Sequence, residues 1–249
     1  MNIKAIFFDM DNTLVHLPDF SSEEFFKETL KDLRISVEIE QIRQAYQSLE
    51  GWVKQNLADY TNWKREVFVE WNRRLLENLG VREDARTLAE KVQDRWENLP
   101  QDGGEELYPE VREVLYLLFR NGFSLGVVSN RYSGVIRRSV DMHGIARYFR
   151  CLVSPQDANA PKGKIDKQMW ELALNTVGVV ASEAAHVGDS YTQDVVGARQ
   201  AGLLPVMIDR NERYGEVDCF KIRNLKELFR ILDITDAASR KLFGVRRGM

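Results

Sequence analysis

Residues 3–8, IKAIFF, are apolar apart from Lys4 and stop at Asp9. A strand with one wet face alternates apolar and polar residues. A run this apolar, without that alternation, fits a strand covered on both faces, as in a parallel sheet sandwiched between helices. The second half of the chain has the matching rhythm. VREVLYLLFRNG reads as a helix closed by Gly122, FSLGVVSN as a buried strand with a polar end, and SGVIRRSVDMHG as a helix closed by Gly144. FRCLVS, AAHVGDS, LPVMID and CFKI read as further strands, separated by helices in DKQMWELALNTVG, closed by Gly178, and in TQDVVGARQAG; a helix in LKELFRILD follows. Alternation of this kind implies a parallel sheet with helices on both faces. The expected fold class is α/β, with a doubly wound, Rossmann-like parallel sheet as its core.

One stretch breaks the rhythm. From residue 16 to about residue 100 every periodic segment is helical: FFKETLKDL, EIEQIRQAYQSL, NWKREVFVEWNRRLLENLG with Gly80 at its end, and REDARTLAEKVQDRWENL. Ser21 and Glu24 have capping-box spacing before the first of these. LPQDGGEELYPE, with its proline and paired glycines, reads as a linker back to the core. The expected organisation is a core from residues 1–15 and 101–249, interrupted by an all-helical inserted domain over residues 16–100.

Composition excludes several classes. The net charge of −3 carries no basic field of the kind that binds nucleic acid. No apolar stretch approaches the roughly 20 residues of a membrane helix, and Asp9 cuts off the apolar run of MNIKAIFF before it resembles a targeting signal. A soluble, cytoplasmic protein is expected, either monomer or homodimer. Cys151 and Cys219 lie far apart in apolar segments and read as two buried reduced thiols.

The polar residues collect at strand ends, where open parallel sheets bind ligands. Asp9 and Asp11 follow the first strand, Ser129 and Asn130 follow LGVV, and Asp189 and Ser190 follow HVG, with Asp194 five residues beyond Asp189. Lys164 lies in the loop before MWELAL. Each alone reads as a cap, a turn residue or a solvated lysine. Together, in one crevice, clustered carboxylates would repel one another and raise each other's pKa unless a hard cation relieved them. Mg²⁺, which takes oxygen ligands and keeps room for a substrate phosphate, suits that set. Lys164 and Ser129 would meet the phosphate oxygens.

These residues resemble the motifs of the haloacid dehalogenase superfamily of phosphohydrolases over essentially the whole chain. DMDNT at residues 9–13 is similar to the family's first motif D-x-D-x-T, Ser129 to the second, Lys164 to the third, and GDSYTQDVVGA at residues 188–198 to the fourth. The helical insertion resembles the family's C1-type cap. The resemblance implies a Mg²⁺-dependent phosphatase acting on a small phosphate ester, with Asp9 as nucleophile and Asp11 as general acid and base. It implies metal ligation by Asp9, the Asp11 carbonyl and Asp189, with Asp194 acting through water or by orienting the others. Thr13, Ser129, Asn130 and Lys164 would serve the phosphoryl group, Thr13 by steadying its loop. A phosphomutase or a non-catalytic binding protein on the same scaffold are the alternatives. Asp11 is missing from dehalogenases proper, so its presence here favours phosphate chemistry. Asn12 stands where many relatives have glycine, and Asn tolerates a left-handed turn. Lys162 rivals Lys164 for the third motif. His16 reads as a hinge or surface residue, with a position facing the substrate as the alternative. Trp52, Trp63, Trp71 and Trp96 read as packing of the inserted helices, with a substrate pocket as the alternative, and Lys54, Arg65 and Arg73 as a solvated face.

Overall fold

The computed structural model of the chain describes residues 2–16, 22–82, 84–98 and 105–232. The chain divides into two compact units, Met1–His16 with Leu107–Met249, and Leu17–Glu106.

The first unit is built on β1 (Ala5–Phe8), β4 (Ser124–Val128), β5 (Phe149–Val153), β6 (Ala184–Gly188), β7 (Leu204–Ile208) and β8 (Phe220–Ile222). They form one sheet in the order β5-β4-β1-β6-β7-β8, and every pairing is parallel. The chain winds outward from β1 through β4 to β5, then returns to the other side of β1 for β6, β7 and β8. That reversal puts the topological switch point at β1, flanked by β4 and β6.

All four side chains of β1 are fully buried, and the period of two sends them to opposite faces. Ile6 and Phe8 join Val114, Leu115 and Leu118 of α6 (Val111–Arg120) and Ile136 of α7 (Ser133–Met142). Ala5 and Phe7 join Met169, Trp170 and Ala173 of α9 (Lys167–Val177). Burial of each such side chain is worth about 1.5–3 kcal/mol, so a charge anywhere in β1 would be costly. Gly122, Gly144 and Gly178, the expected helix stops, all have positive φ, the left-handed conformation that glycine adopts without a Cβ clash.

Three details differ from expectation. The first strand is Ala5–Phe8, shorter than residues 3–8. Val15–His16 (β2) and Glu106–Leu107 (β3) form a two-stranded ladder where the chain leaves and re-enters the core, so the insertion is bounded by strand pairing that no side-chain period announces. The segment after Ser190 opens as a π-helix, Tyr191–Val196, before one α-turn, α10 (Gly197–Gln200). Widened turns of this kind cluster at functional sites.

The second unit is helical: α1 (Ser22–Asp32), α2 (Ile39–Ser48), α3 (Glu50–Asn56), α4 (Arg65–Asn78) and α5 (Ala85–Glu97). Phe26, Leu30, Ile42, Leu75, Leu76, Ala89 and Val92 form its core. Its tryptophans pack within it. Trp71 stacks on Tyr46 at 5.4 Å, Trp96 meets Phe25 edge-on at 4.9 Å, and Trp63 lies between Tyr60 and Phe68. Trp52 lies under Arg74. Arg65 and Arg73 are ion-paired, Arg65 to Asp94 and Glu97 and Arg73 to Glu70 and Glu77. Lys54 lies beside Glu50. Ser21, residues 99–104 of the expected linker and the basic SRKLFGVRRGM end lie outside the described residues. The remaining connections in the core include α8 (Pro155–Ala158) and α11 (Leu228–Ile231). Both cysteines are free; Cys151 is buried, but Cys219 is half-exposed, unlike the buried thiol expected there. Among the described residues no helix is long and apolar enough to cross a membrane.

Candidate active site

Asp9 is the first residue past β1, and its amide is tied to the neighbouring strand by a 2.9 Å bond to the Val187 carbonyl. The loop then turns sharply. The Met10 carbonyl accepts from the amides of Thr13, Leu14 and Val15, and Asn12 takes φ 52°, the left-handed conformation that its short polar side chain tolerates. This fold of the loop brings the Asn12 amide group to Asp189 Oδ2 at 3.1 Å, just past the end of β6.

Lys164 reaches the same place from the loop before α9. Its Nζ lies 2.8 Å from Asp9 Oδ1 and 2.5 Å from Asp194 Oδ1, and its side chain is 3% exposed. Lys162 is exposed, and its backbone amide donates to Asp166 Oδ2. Of the two rivals, Lys164 is the one that meets Asp9. Asn130 fixes the approach: its side-chain oxygen accepts the Lys164 amide at 3.0 Å and its Nδ2 donates to Gln193 Oε1 at 3.1 Å. The Asn130 side chain thus holds the Lys164 loop. Ser129 is buried beside it, its amide bonded to the Val153 carbonyl. The Thr13 hydroxyl is buried without a hydrogen-bond partner among the described residues.

Asp194 is held on both oxygens. Oδ1 accepts from Lys164 and from His186 Nε2 at 2.8 Å, and Oδ2 accepts the Ser190 amide at 2.9 Å. The π-turn after Ser190 folds Asp194 back toward β6. Gly188 makes room for it, because a Cβ there would overlap the Asp194 carboxyl group. Gly197 similarly lets the helix approach the Lys164 carbonyl, which also accepts Trp170 Nε1 at 2.8 Å.

Asp9, Asp189 and Asp194 each place an oxygen within 4.8 Å of the others. Burial pushes the Asp9 carboxyl above its ordinary range, the Lys164 charge pulls it back, and Asp194 and Asp11 push it up again. Burial also raises Asp189. Burial opposes the charge on Asp194, but Lys164 and His186 outweigh it and hold the group below the carboxylate range. Lys164 shows the mirror image: burial would lower it, and Asp194 and Asp9 keep it firmly protonated. Burial lowers His186, against the pull of Asp194, which its Nε2 meets at 2.8 Å.

Asp11 does not join this carboxylate group. Its two oxygens face Arg131, with Nε to Oδ2 3.0 Å and Nη2 to Oδ1 2.5 Å. Arg210 braces the loop from behind, donating to the carbonyls of Asn12 and Thr13 and to Glu110 while stacking 3.4 Å over Tyr108. Arg213 donates to Asp189 Oδ2 at 2.8 Å. His16 lies against Tyr108, 5.4 Å between rings, as part of β2. Arg131, His186, Arg210 and Arg213 carry no motif spacing that sequence reasoning would select. Two weak signals exist: a histidine inside the otherwise apolar AAHVG, and an arginine directly after Ser129-Asn130.

The profile of the haloacid dehalogenase-like hydrolases matches residues 3–202. The chain belongs to that family. Among curated relatives, this haloacid dehalogenase-like hydrolase is 32% identical over 153 residues to phosphoserine phosphatase of Thermus thermophilus, covering 60% of this chain and 58% of that enzyme. It therefore spans somewhat over half the length of that relative. It is 27% identical over 223 residues to phosphoglycolate phosphatase of Vibrio parahaemolyticus, covering 86% of this chain and 87% of the other. Among solved structures it is similar to 2-haloacid dehalogenase from Pseudomonas syringae, with TM-score 0.71, 25% identity and 93% and 98% of the two chains covered. It is also similar to a HAD phosphatase from Thermococcus onnurineus, with TM-score 0.61, 25% identity and coverage of 92% and 98%.

Proposed function

We propose that this hydrolase is a Mg²⁺-dependent phosphatase that cleaves a small phosphate monoester through an aspartyl-phosphate on Asp9. The observation that carries the reading is the buried Asp9–Lys164–Asp194 group beside Asp189, at the carboxyl end of the switch-point strand. The carboxylate oxygens of Asp9, Asp189 and Asp194 form a hard, oxygen-only donor set, which fits Mg²⁺. Asp9, Asp189 and the Asp11 main-chain carbonyl would hold the ion. Asp194, whose oxygens already accept three protein donors, would orient Lys164 and the Asp189 loop. When bound, the ion supplies positive charge against the phosphoryl oxygens.

In the first step an Asp9 oxygen attacks phosphorus, the bond from phosphorus to the ester oxygen breaks, and Asp11 gives a proton to that oxygen. Water then attacks phosphorus and gives its proton to Asp11, and Asp9 leaves. The sum is ester plus water to alcohol plus inorganic phosphate. Lys164 stays charged throughout and stabilises the phosphoryl oxygens, with Ser129 as a further donor.

The leaving group we assign is small and carboxylated. The Thermus and Vibrio relatives are named for phosphoserine and phosphoglycolate, both phosphate esters with a carboxylate close to the ester oxygen. The test is phosphate release from a panel of esters, with Mg²⁺ and with EDTA, comparing the natural chain with Asp9→Asn. Release that needs Mg²⁺ and vanishes in the variant supports the reading; no release from any ester overturns it.

A further inference from the structure

Outside the carboxylate group, Arg131 clamps Asp11. Both nitrogens that bind Asp11 lie on one edge of the guanidinium, and both Asp11 oxygens are taken. The arginine side chain is 12% exposed and the aspartate 38%. A planar fork against a planar carboxylate is the geometry in which arginine discriminates best, and lysine cannot reproduce it. Arg131 is also anchored next to the phosphate end of the site, since its amide approaches the Ser129 hydroxyl at 3.4 Å.

The clamp has a consequence for the proposed reaction. The orientation of Asp11 is committed to Arg131, whereas its role requires it to face the ester oxygen of the substrate. The geometry points to Arg131 as the receptor for a carboxylate on the leaving group, with binding of that carboxylate releasing Asp11 toward the ester oxygen. This assignment rests on the phosphatase reading above.

Arg131 stands one hydrogen bond from Asp11 and is the second residue after Ser129, so its guanidinium borders the place the leaving group would occupy. No covalent bond changes in the exchange: the guanidinium trades one carboxylate for another of the same shape and charge. An ester without a carboxylate leaves Asp11 clamped, so selection acts on turnover as well as on binding.

The test uses matched pairs of esters that differ in the carboxylate: 2-phosphoglycolate against ethyl phosphate, and phosphoserine against phosphoethanolamine. The quantity read is the ratio of kcat/KM within each pair, for the natural chain, Arg131→Lys and Arg131→Met, with thermal melting to establish that each variant is folded. In the natural chain the carboxylated ester is favoured by about 100-fold or more, the discrimination expected of a site built to pair a polar group of its substrate. Arg131→Met brings both ratios toward unity, and Arg131→Lys falls between. A natural chain that hydrolyses both members of each pair alike, or an Arg131→Met chain that keeps the full preference, overturns the assignment and leaves the phosphatase reading standing. If Arg131→Met does not fold, Arg131→Lys decides, because it keeps the charge and loses the fork: an undiminished preference there overturns the assignment too. Absence of phosphate release from every ester in the natural chain overturns both.

Discussion

Lys164 Nζ stands 2.5 Å from Asp194 Oδ1, with both side chains almost wholly excluded from water. Asp9 completes the group at 2.8 Å from the same nitrogen. Removing one partner of a buried pair leaves a charge without compensation and costs about 3–5 kcal/mol. Lys164→Met is therefore expected to lose stability of that order in metal-free buffer, read by urea unfolding. Added Mg²⁺ restores part of it by meeting the same carboxylates. Turnover falls by about 10²–10³, the usual effect of deleting one preorganised donor. A variant as stable as the natural chain in EDTA would show that the pair does not bear on folding.

Gly188→Ala tests how tightly Asp194 is placed. The added methyl would overlap the Asp194 carboxyl group, so either the π-turn or β6 has to move. Overpacking of this kind costs about 1–3 kcal/mol. The useful comparison is Gly126→Ala in β4, whose methyl would crowd Cys151 Sγ and the Phe7 ring, away from the carboxylates. Both variants should melt earlier. Calorimetric titration with Mg²⁺ should show weakened affinity for Gly188→Ala alone, because only that methyl presses on Asp194.

Arg210 donates to two successive carbonyls of the loop that carries Asp11, and to Glu110. Hydrogen bonds from a charged donor contribute about 1.5–3 kcal/mol each when lost in a buried setting. Arg210→Met frees the Asn12 and Thr13 carbonyls and lets the loop relax. We expect kcat to fall more than KM rises, since Asp11 must be placed for proton transfer while Lys164 and Ser129 still hold phosphate. Arg210→Lys recovers little, because one ammonium cannot reach three acceptors in a fork. A KM effect without a kcat effect would contradict this.

Metal affinity should depend on pH. Burial raises the Asp9 carboxyl from its ordinary 3.8 to about 7 without a metal. The sign follows from linkage: a raised folded value favours the protonated native state, so this contribution is full below pH 4 and fades as pH rises through 7. An ion needs the ionised form, so apparent Mg²⁺ affinity should climb between pH 6 and 8, approaching tenfold per unit below the raised value. Thermal shift against Mg²⁺ concentration at several pH values measures it. Asp9→Asn should flatten the dependence, leaving the smaller contribution of Asp189, which is also raised. A flat profile in the natural chain would rule out proton competition at Asp9.

The separation between what could be read from residues and what could not is physical. Apolar runs, helix stops at Gly122, Gly144 and Gly178, and the polar ends of β1, β4 and β6 are local patterns, because they reflect the pleat, the helical turn and the conformational freedom of glycine. The helical period of residues 22–97 is legible for the same reason. The ladder of β2 with β3 was not, since two residues are too few to show a period. Likewise the π-turn that folds Asp194 back has the side-chain pattern of an ordinary helix.

By itself, the sequence determined which residues end strands and which chemical groups stand there: Asp9 and Asp11, Ser129 and Asn130, Asp189. Tertiary structure decided which of those ends meet. The sheet order β5-β4-β1-β6 is a non-local choice that sets the ends of β4, β1 and β6 side by side, and the Asn130 contact with the Lys164 amide helps aim Lys164 rather than Lys162 at Asp9. It also turned residues without motif status into parts of the site. Arg131 closes on Asp11 across 120 positions of sequence, and Arg210 on Asn12 across 198. Charged side chains choose partners by distance and desolvation, and neither quantity exists until the strands are packed.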